Sequence, residues 1–168
     1  MRVLFLDIDG VLNSKQSFIY TNREWCKKNK PFLKGDKIHK LEFCPIACSN
    51  LNYILESIPD LKIVISSGWR IGRDLKHLKR ILKTYGKIYY TDRVIDKTPF
   101  ISSDNRGEEI KEWLEGHLEV KKFGILDDTP SNIGELLPFL FKTDFNIGLT
   151  LPMAKDIIDY FTFEENKD

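Results

Sequence analysis

Cysteine is scarce in this chain: Cys26, Cys44 and Cys48 are the only three among 168 residues. So few, and an odd number, cannot build the disulfide framework of a small secreted domain, and reduced thiols are expected. Long hydrophobic runs are missing too, since no stretch approaches the roughly 20 apolar residues that span a bilayer. The opening apolar run is short for a signal peptide and meets acids where small residues should precede a cleavage site. The expectation is therefore a cytoplasmic protein with no membrane association. No repeat and no low-complexity tract interrupts the chain.

What is present fits an ordinary globular domain: 42% hydrophobic and 30% charged residues. The length points to one domain over residues 1–168. Net charge is only +1, but unevenly placed, because residues 14–44 hold eight Lys/Arg against three Asp/Glu. Such asymmetry marks either a surface that meets anions or a solvated loop.

Val3–Leu6 is continuously apolar, the pattern of a strand covered on both faces. Leu51, Ile54, Leu55 and Ile58 repeat at helical spacing after Pro45. Residues 61–65 read as a second strand, and Ile71, Leu75, Leu78, Leu82 and Tyr85 as a helical stripe stopped by Gly86. KIYYT (87–91) is predicted as the third strand. Asn105 with Glu108 looks like a capping pair opening a helix with Ile110, Trp113 and Leu114 inside. FGIL (123–126) is the fourth strand, residues 145–149 the fifth, and 152–160 a last helix. Alternating strands and helices predict an α/β, three-layer Rossmann-like parallel sheet. The 14–44 stretch is long for a strand-to-helix connection and reads as an inserted basic flap.

Ligands of such sheets bind beyond the carboxyl ends of the strands. Three predicted strands end there in reactive groups: Asp7 and Asp9, Ser66 and Ser67, Asp127 and Asp128. Residues i and i+2 of a strand point to one side, so Asp7 and Asp9 can face a common site, with Gly10 turning the chain away. An EF-hand loop also starts D-x-D, but position 11 is valine and no glycine follows at its sixth place. Converging carboxylates repel without a cation, and oxygen-only ligands suit Mg²⁺. A carboxylate nucleophile beside Mg²⁺ is an arrangement for phosphoryl transfer.

In order along the chain, FLDIDGVLN, IVISSGWR, NRGEEIKEWL and FGILDDTPSN resemble the four motifs of the haloacid dehalogenase (HAD) superfamily, in its Mg²⁺-dependent phosphatase branch. The resemblance spans residues 3–132 and implies an HAD-like fold with a short cap. It implies Asp7 as the nucleophile that becomes an aspartyl-phosphate and Asp9 as general acid and base. The Asp7 carboxylate and Asp9 carbonyl would bind Mg²⁺ with Asp127 and Asp128, Asp128 directly and Asp127 through water. Ser66 would bond a phosphoryl oxygen, with Ser67 as its rival. Gly10, Asn13, Ser67, Gly68 and Arg70 are the candidate substrate-binding residues, with a structural ion pair as the alternative for Arg70 and bracing of the turn after Asp9 as the alternative for Asn13.

The basic residue of the third motif looks like Arg106. A cation in the first turn of a helix opposes the macrodipole, so phosphate clamping explains it better than helix stability does. Lys97 is the substitute. Cys26, His39, Cys44 and Cys48 could make a zinc site, although they lack a C-x₂-C knuckle.

The substrate implied is a phosphorylated small molecule or a nucleic-acid end. SSGWR and RGEEIKEWL look like the forms of an HAD subgroup found in nucleic-acid repair proteins, and aromatics among the lysines of 14–44 suit single strands. Two rivals stand beside this reading. One is a non-catalytic phosphate- or nucleic-acid-binding module on the same fold. The other is a response-regulator receiver, which needs its nucleophile after the third strand and a lysine after the fifth; none follows residues 145–149.

Overall fold

The computed structural model describes residues 1–17, 42–102 and 104–163. Most of the predicted basic flap, with Cys26 and His39, lies outside them.

Five parallel strands form one sheet: β1 (Arg2–Leu6), β2 (Leu61–Ile65), β3 (Val94–Lys97), β4 (Lys122–Asp127) and β5 (Leu140–Lys142). Their order is β3-β2-β1-β4-β5. Side-chain alternation along β1 sends Leu4 and Leu6 into one hydrophobic cluster and Val3 and Phe5 into another. The first cluster lies under α1 (Pro45–Ser57), α2 (Leu75–Thr84) and α4 (Leu151–Thr162), the second under α3 (Arg106–Glu115). This is the expected three-layer α/β sandwich.

Local chemistry fixes the helices that matter to the site. Asp74 caps α2 by accepting the His77 N–H at 2.7 Å, and Leu78, Ile81 and Leu82 are its buried face. Ile71, assigned to that stripe from its spacing, precedes the helix and is half exposed. Asn105 makes no side-chain cap on α3, and Glu108 pairs outward with Lys111 instead. Gly107 has a packing reason, since a Cβ there would meet the Ile133 carbonyl oxygen at 2.3 Å.

Two predicted strands are corrected. Residues 87–91 are no strand: Lys87 has φ 54°, and the Lys87 carbonyl and Tyr89 N–H bond the Asn52 side chain. The third strand is Val94–Lys97, which pairs with β2 across a register shift. Residues 145–149 form a loop closed by an Asp144–Gly148 bridge, with Phe145 and Ile147 exposed. The fifth strand is Leu140–Lys142 instead.

That shift brings a lysine, Lys142, to the end of the fifth strand, so its supposed lack no longer argues against a receiver. The strand order does. A receiver sheet runs 2-1-3-4-5, whereas β1 here lies between β2 and β4. Among the described residues, no helix is long and apolar enough to cross a membrane.

Candidate active site

The chain runs outward from β1 through β2 to β3, then returns to the other side of β1 as β4. The switch point is the β1–β4 boundary, where a parallel sheet opens a crevice at its carboxyl edge. Asp7 and Asp127 stand there, joined by the Asp7 N–H to Leu126 carbonyl bond at 3.0 Å.

Beyond β1 the Ile8 carbonyl accepts the N–H groups of Val11, Leu12 and Asn13, coiling the chain sharply. Gly10 sits in this coil at φ +71°, and a Cβ on it would lie 2.6 Å from the Asp128 Cγ. Only glycine lets the two strand tips approach so closely. The 143–149 loop holds the coil from outside, with Thr143 Oγ1 donating to the Gly10 carbonyl at 2.8 Å.

The carboxylates of Asp7, Asp127 and Asp128 converge, with one oxygen of each within 4.8 Å of the others. Asp7 and Asp127 are buried, at 6% and 1% exposure. Among the described residues the cation that meets them is Arg106, whose Nη1 lies 3.0 Å from Asp127 Oδ2 and 3.5 Å from Asp7 Oδ1. Arg106 opens α3, as its spacing indicated. Burial raises the pKa of Asp7, against the lowering effects of Arg106 and Ser67. Burial, then the charge of Asp7, raises Asp127 to about 7. Three acids facing one guanidinium are under-neutralised. An all-oxygen set of this kind fits a hard divalent ion such as Mg²⁺.

Asp9 has its carboxylate outside this cluster. β1 ends at Leu6, so strand alternation no longer governs the direction of Asp9. Its Oδ1 accepts Asn13 Nδ2–H at 2.7 Å and its Oδ2 accepts Trp69 Nε1–H at 2.9 Å. Its charge still raises the Asp7 pKa. Asn13 also accepts the Gly10 N–H at 2.9 Å, so both ends of its amide brace the turn.

The serine tip of β2 completes the ring. The Ser67 hydroxyl is near enough to Asp7 to lower its pKa and accepts the Trp69 N–H at 3.3 Å. The Ser66 hydroxyl is buried and has no hydrogen-bond partner among the described residues. Gly68 is exposed, and a Cβ there would meet nothing.

Arg70 takes the structural of its two expected roles, an ion pair, and not the substrate contact. It is 4% exposed, and all five of its N–H donors are committed: to the carbonyls of Thr98, Ser66, Ser67 and Pro99, and to Glu109. No donor remains for a substrate. Lys97 likewise gives its ammonium to the carbonyls of Arg70 and Arg73. Cys44 and Cys48 join no cluster of metal-ligating groups among the described residues. Burial pushes the Cys48 thiol to about 12, against the thiolate that zinc requires.

Two contributors escaped sequence reasoning. Glu109 anchors Arg70 and accepts the Ile101 N–H at 2.9 Å. Its signal was available: Arg106, Glu109, Ile110 and Trp113 fall at i, i+3, i+4, i+7, on the buried side of α3. Trp69 was seen only as a neighbour of the serines, although it holds Asp9 and packs on Phe43 with ring centroids 5.6 Å apart.

Comparison with curated proteins and with solved structures gave no match. The family model for the HAD domain in Swiss Army Knife RNA repair proteins does match, over residues 3–154. Apart from Arg2, that span takes in all five strands, with both strand tips and Arg106, and by it the chain belongs to the family of HAD domains found in Swiss Army Knife RNA repair proteins.

Proposed function

We propose that this chain is a Mg²⁺-dependent phosphatase that removes a terminal phosphomonoester from an RNA end through an aspartyl-phosphate. The observation that carries the proposal is the convergence of Asp7, Asp127 and Asp128 around Arg106, with Asp9 held close by but apart. The family match supports an RNA end as the class of substrate.

Asp7, Asp127 and Asp128, with the Asp9 carbonyl, would hold the ion. Bound Mg²⁺ offsets phosphate charge so that an anion can attack an anion. An Asp7 carboxylate oxygen attacks phosphorus, and the bond from phosphorus to the ribose oxygen breaks. Asp9 gives its proton to that leaving oxygen. Water then attacks the phosphorus of the aspartyl-phosphate, Asp9 takes the water proton, and Asp7 is released with inorganic phosphate. Ser67, beside Asp7, is assigned to a phosphoryl oxygen. Arg106 is assigned to the charge on the transferring group.

The test is phosphate release from an aryl phosphate and from 3′- and 5′-phosphorylated oligoribonucleotides, with Mg²⁺ or EDTA. Asp7→Asn should lower turnover about a thousandfold or more. Equal rates for the two proteins would overturn the assignment.

A further inference from the structure

Helix α2 carries Lys76, Lys79, Arg80 and Lys83 and not one acid between Leu75 and Thr84. Lys76, Arg80 and Lys83 fall at i, i+4, i+7, opposite the buried Leu78, Ile81 and Leu82, and all three are exposed. A merely solubilising face interleaves signs, as α3 does with Glu108 and Lys111. Here Lys76–Arg80 and Lys79–Lys83 are like-charge i, i+4 pairs, which weaken a helix. Lys76 in the first turn also opposes the dipole. Lys76, Lys79 and Lys83 on this one-signed face suit an anionic partner lying along the helix.

The cations lead to a second feature. Past the end of α2, a groove of about 880 Å³ opens between α1 and residues 84–90. Tyr53, Tyr85, Tyr89 and Tyr90 line it, together with Lys87. Tyr89 is 74% exposed and Tyr53 41%. Phe43 forms part of its wall and is also the ring that packs on Trp69, the donor to Asp9. At its other end, α2 begins just past the Ser66–Arg70 tip of β2. Among the described residues Glu56 is the only acid in the wall. A basic strip joined to exposed aromatic rings matches what single-stranded nucleic acid requires: cations for the backbone and faces for the bases.

We propose that the exposed face of α2, continued through Lys87 into the tyrosine groove, is the track that binds the single-stranded RNA whose phosphorylated end enters the site. The track rests on the phosphatase reading for its substrate class, but its binding is measurable without turnover.

The experiment uses the full chain carrying Asp7→Asn and a fluorescent, 3′-phosphorylated single-stranded oligoribonucleotide, with Kd read by anisotropy across a salt series. Removing three cations with Lys76→Gln, Lys83→Gln and Lys87→Gln should weaken binding at least tenfold at low salt. It should also flatten the log Kd against log salt slope by about 2, at roughly 0.7 per lost contact on a single strand. Tyr89→Ala should weaken binding about tenfold and leave that slope unchanged. With Asp7 intact, these variants should hydrolyse an aryl phosphate like the parent. A parent that binds no RNA, or a triple variant within twofold of the parent in both Kd and slope, would overturn the track. Absent aryl phosphatase activity in the parent would sink the phosphatase reading while the anisotropy result stood.

Discussion

Trp69 Nε1 donates to Asp9 Oδ2 at 2.9 Å across 60 residues of sequence. The indole therefore fixes the carboxylate proposed to move the proton, without needing to touch substrate itself. Trp69→Phe keeps an aromatic ring against Phe43 and deletes the donor together with part of the indole's volume. We expect kcat to fall about tenfold, a fraction of the full general-acid contribution, with KM little changed and the acidic limb of the pH–rate profile displaced. Steady-state kinetics across pH checks this, and an unaltered profile would deny Trp69 a positioning role.

Gly10→Ala should separate metal binding from folding. The left-handed φ costs about 1–2 kcal/mol for a residue with a Cβ, and that Cβ would push into Asp128. The variant should remain folded but lose most of the rise in Tm that Mg²⁺ gives the parent. Thermal scans with and without Mg²⁺ decide it.

Removing Arg70 should act on stability before it acts on substrate affinity. Breaking a buried pair by deleting one partner costs about 3–5 kcal/mol, and Arg70 and Glu109 are both almost fully buried. Arg70→Met should lower the urea midpoint sharply, and adding Glu109→Leu should recover part of the loss, since no uncompensated charge then remains. A folded Arg70→Met protein of parental stability, with raised KM, would restore the substrate-binding role.

Stability of the metal-free protein should depend on pH through Asp127. Its folded pKa of about 7 lies above the ordinary 3.8. Between those values the native state holds more protons than the unfolded state, so this contribution to stability declines as pH rises from about 4 to about 7. Asp127→Asn should lessen that decline in EDTA, the raised Asp7 keeping its own share, and Mg²⁺ should oppose it in the parent. Urea midpoints at several pH values provide the comparison.

The parts of this fold that the sequence revealed are those where composition and burial agree. β1, β2 and β4 are apolar runs buried on both faces, and their tips could be read as a site because parallel sheets open at that edge. The edge strands were harder. VIDK and LFK are short and mixed, whereas KIYYT and FNIGL have strand-like composition but no strand to pair with. For residues 87–89, the Asn52 amide supplies the hydrogen bonds that a neighbouring strand would have given. Arg70 misled for a different reason. Its burial depends on Glu109, 39 residues further on, and no local pattern announces that meeting. Asp9 and Trp69 share that difficulty.

The central position of β1 has a consequence for synthesis. A ribosome delivers β1, β2 and β3 long before β4, so one side of the most apolar strand stays uncovered until about residue 127 has emerged. Through that interval the nascent chain carries an open hydrophobic edge, the usual starting point for aggregation. Asp7 meanwhile waits for Arg106 and Asp127, so the proposed site comes into being only as the last central strand zips in, and truncated products should lack it as well as being sticky.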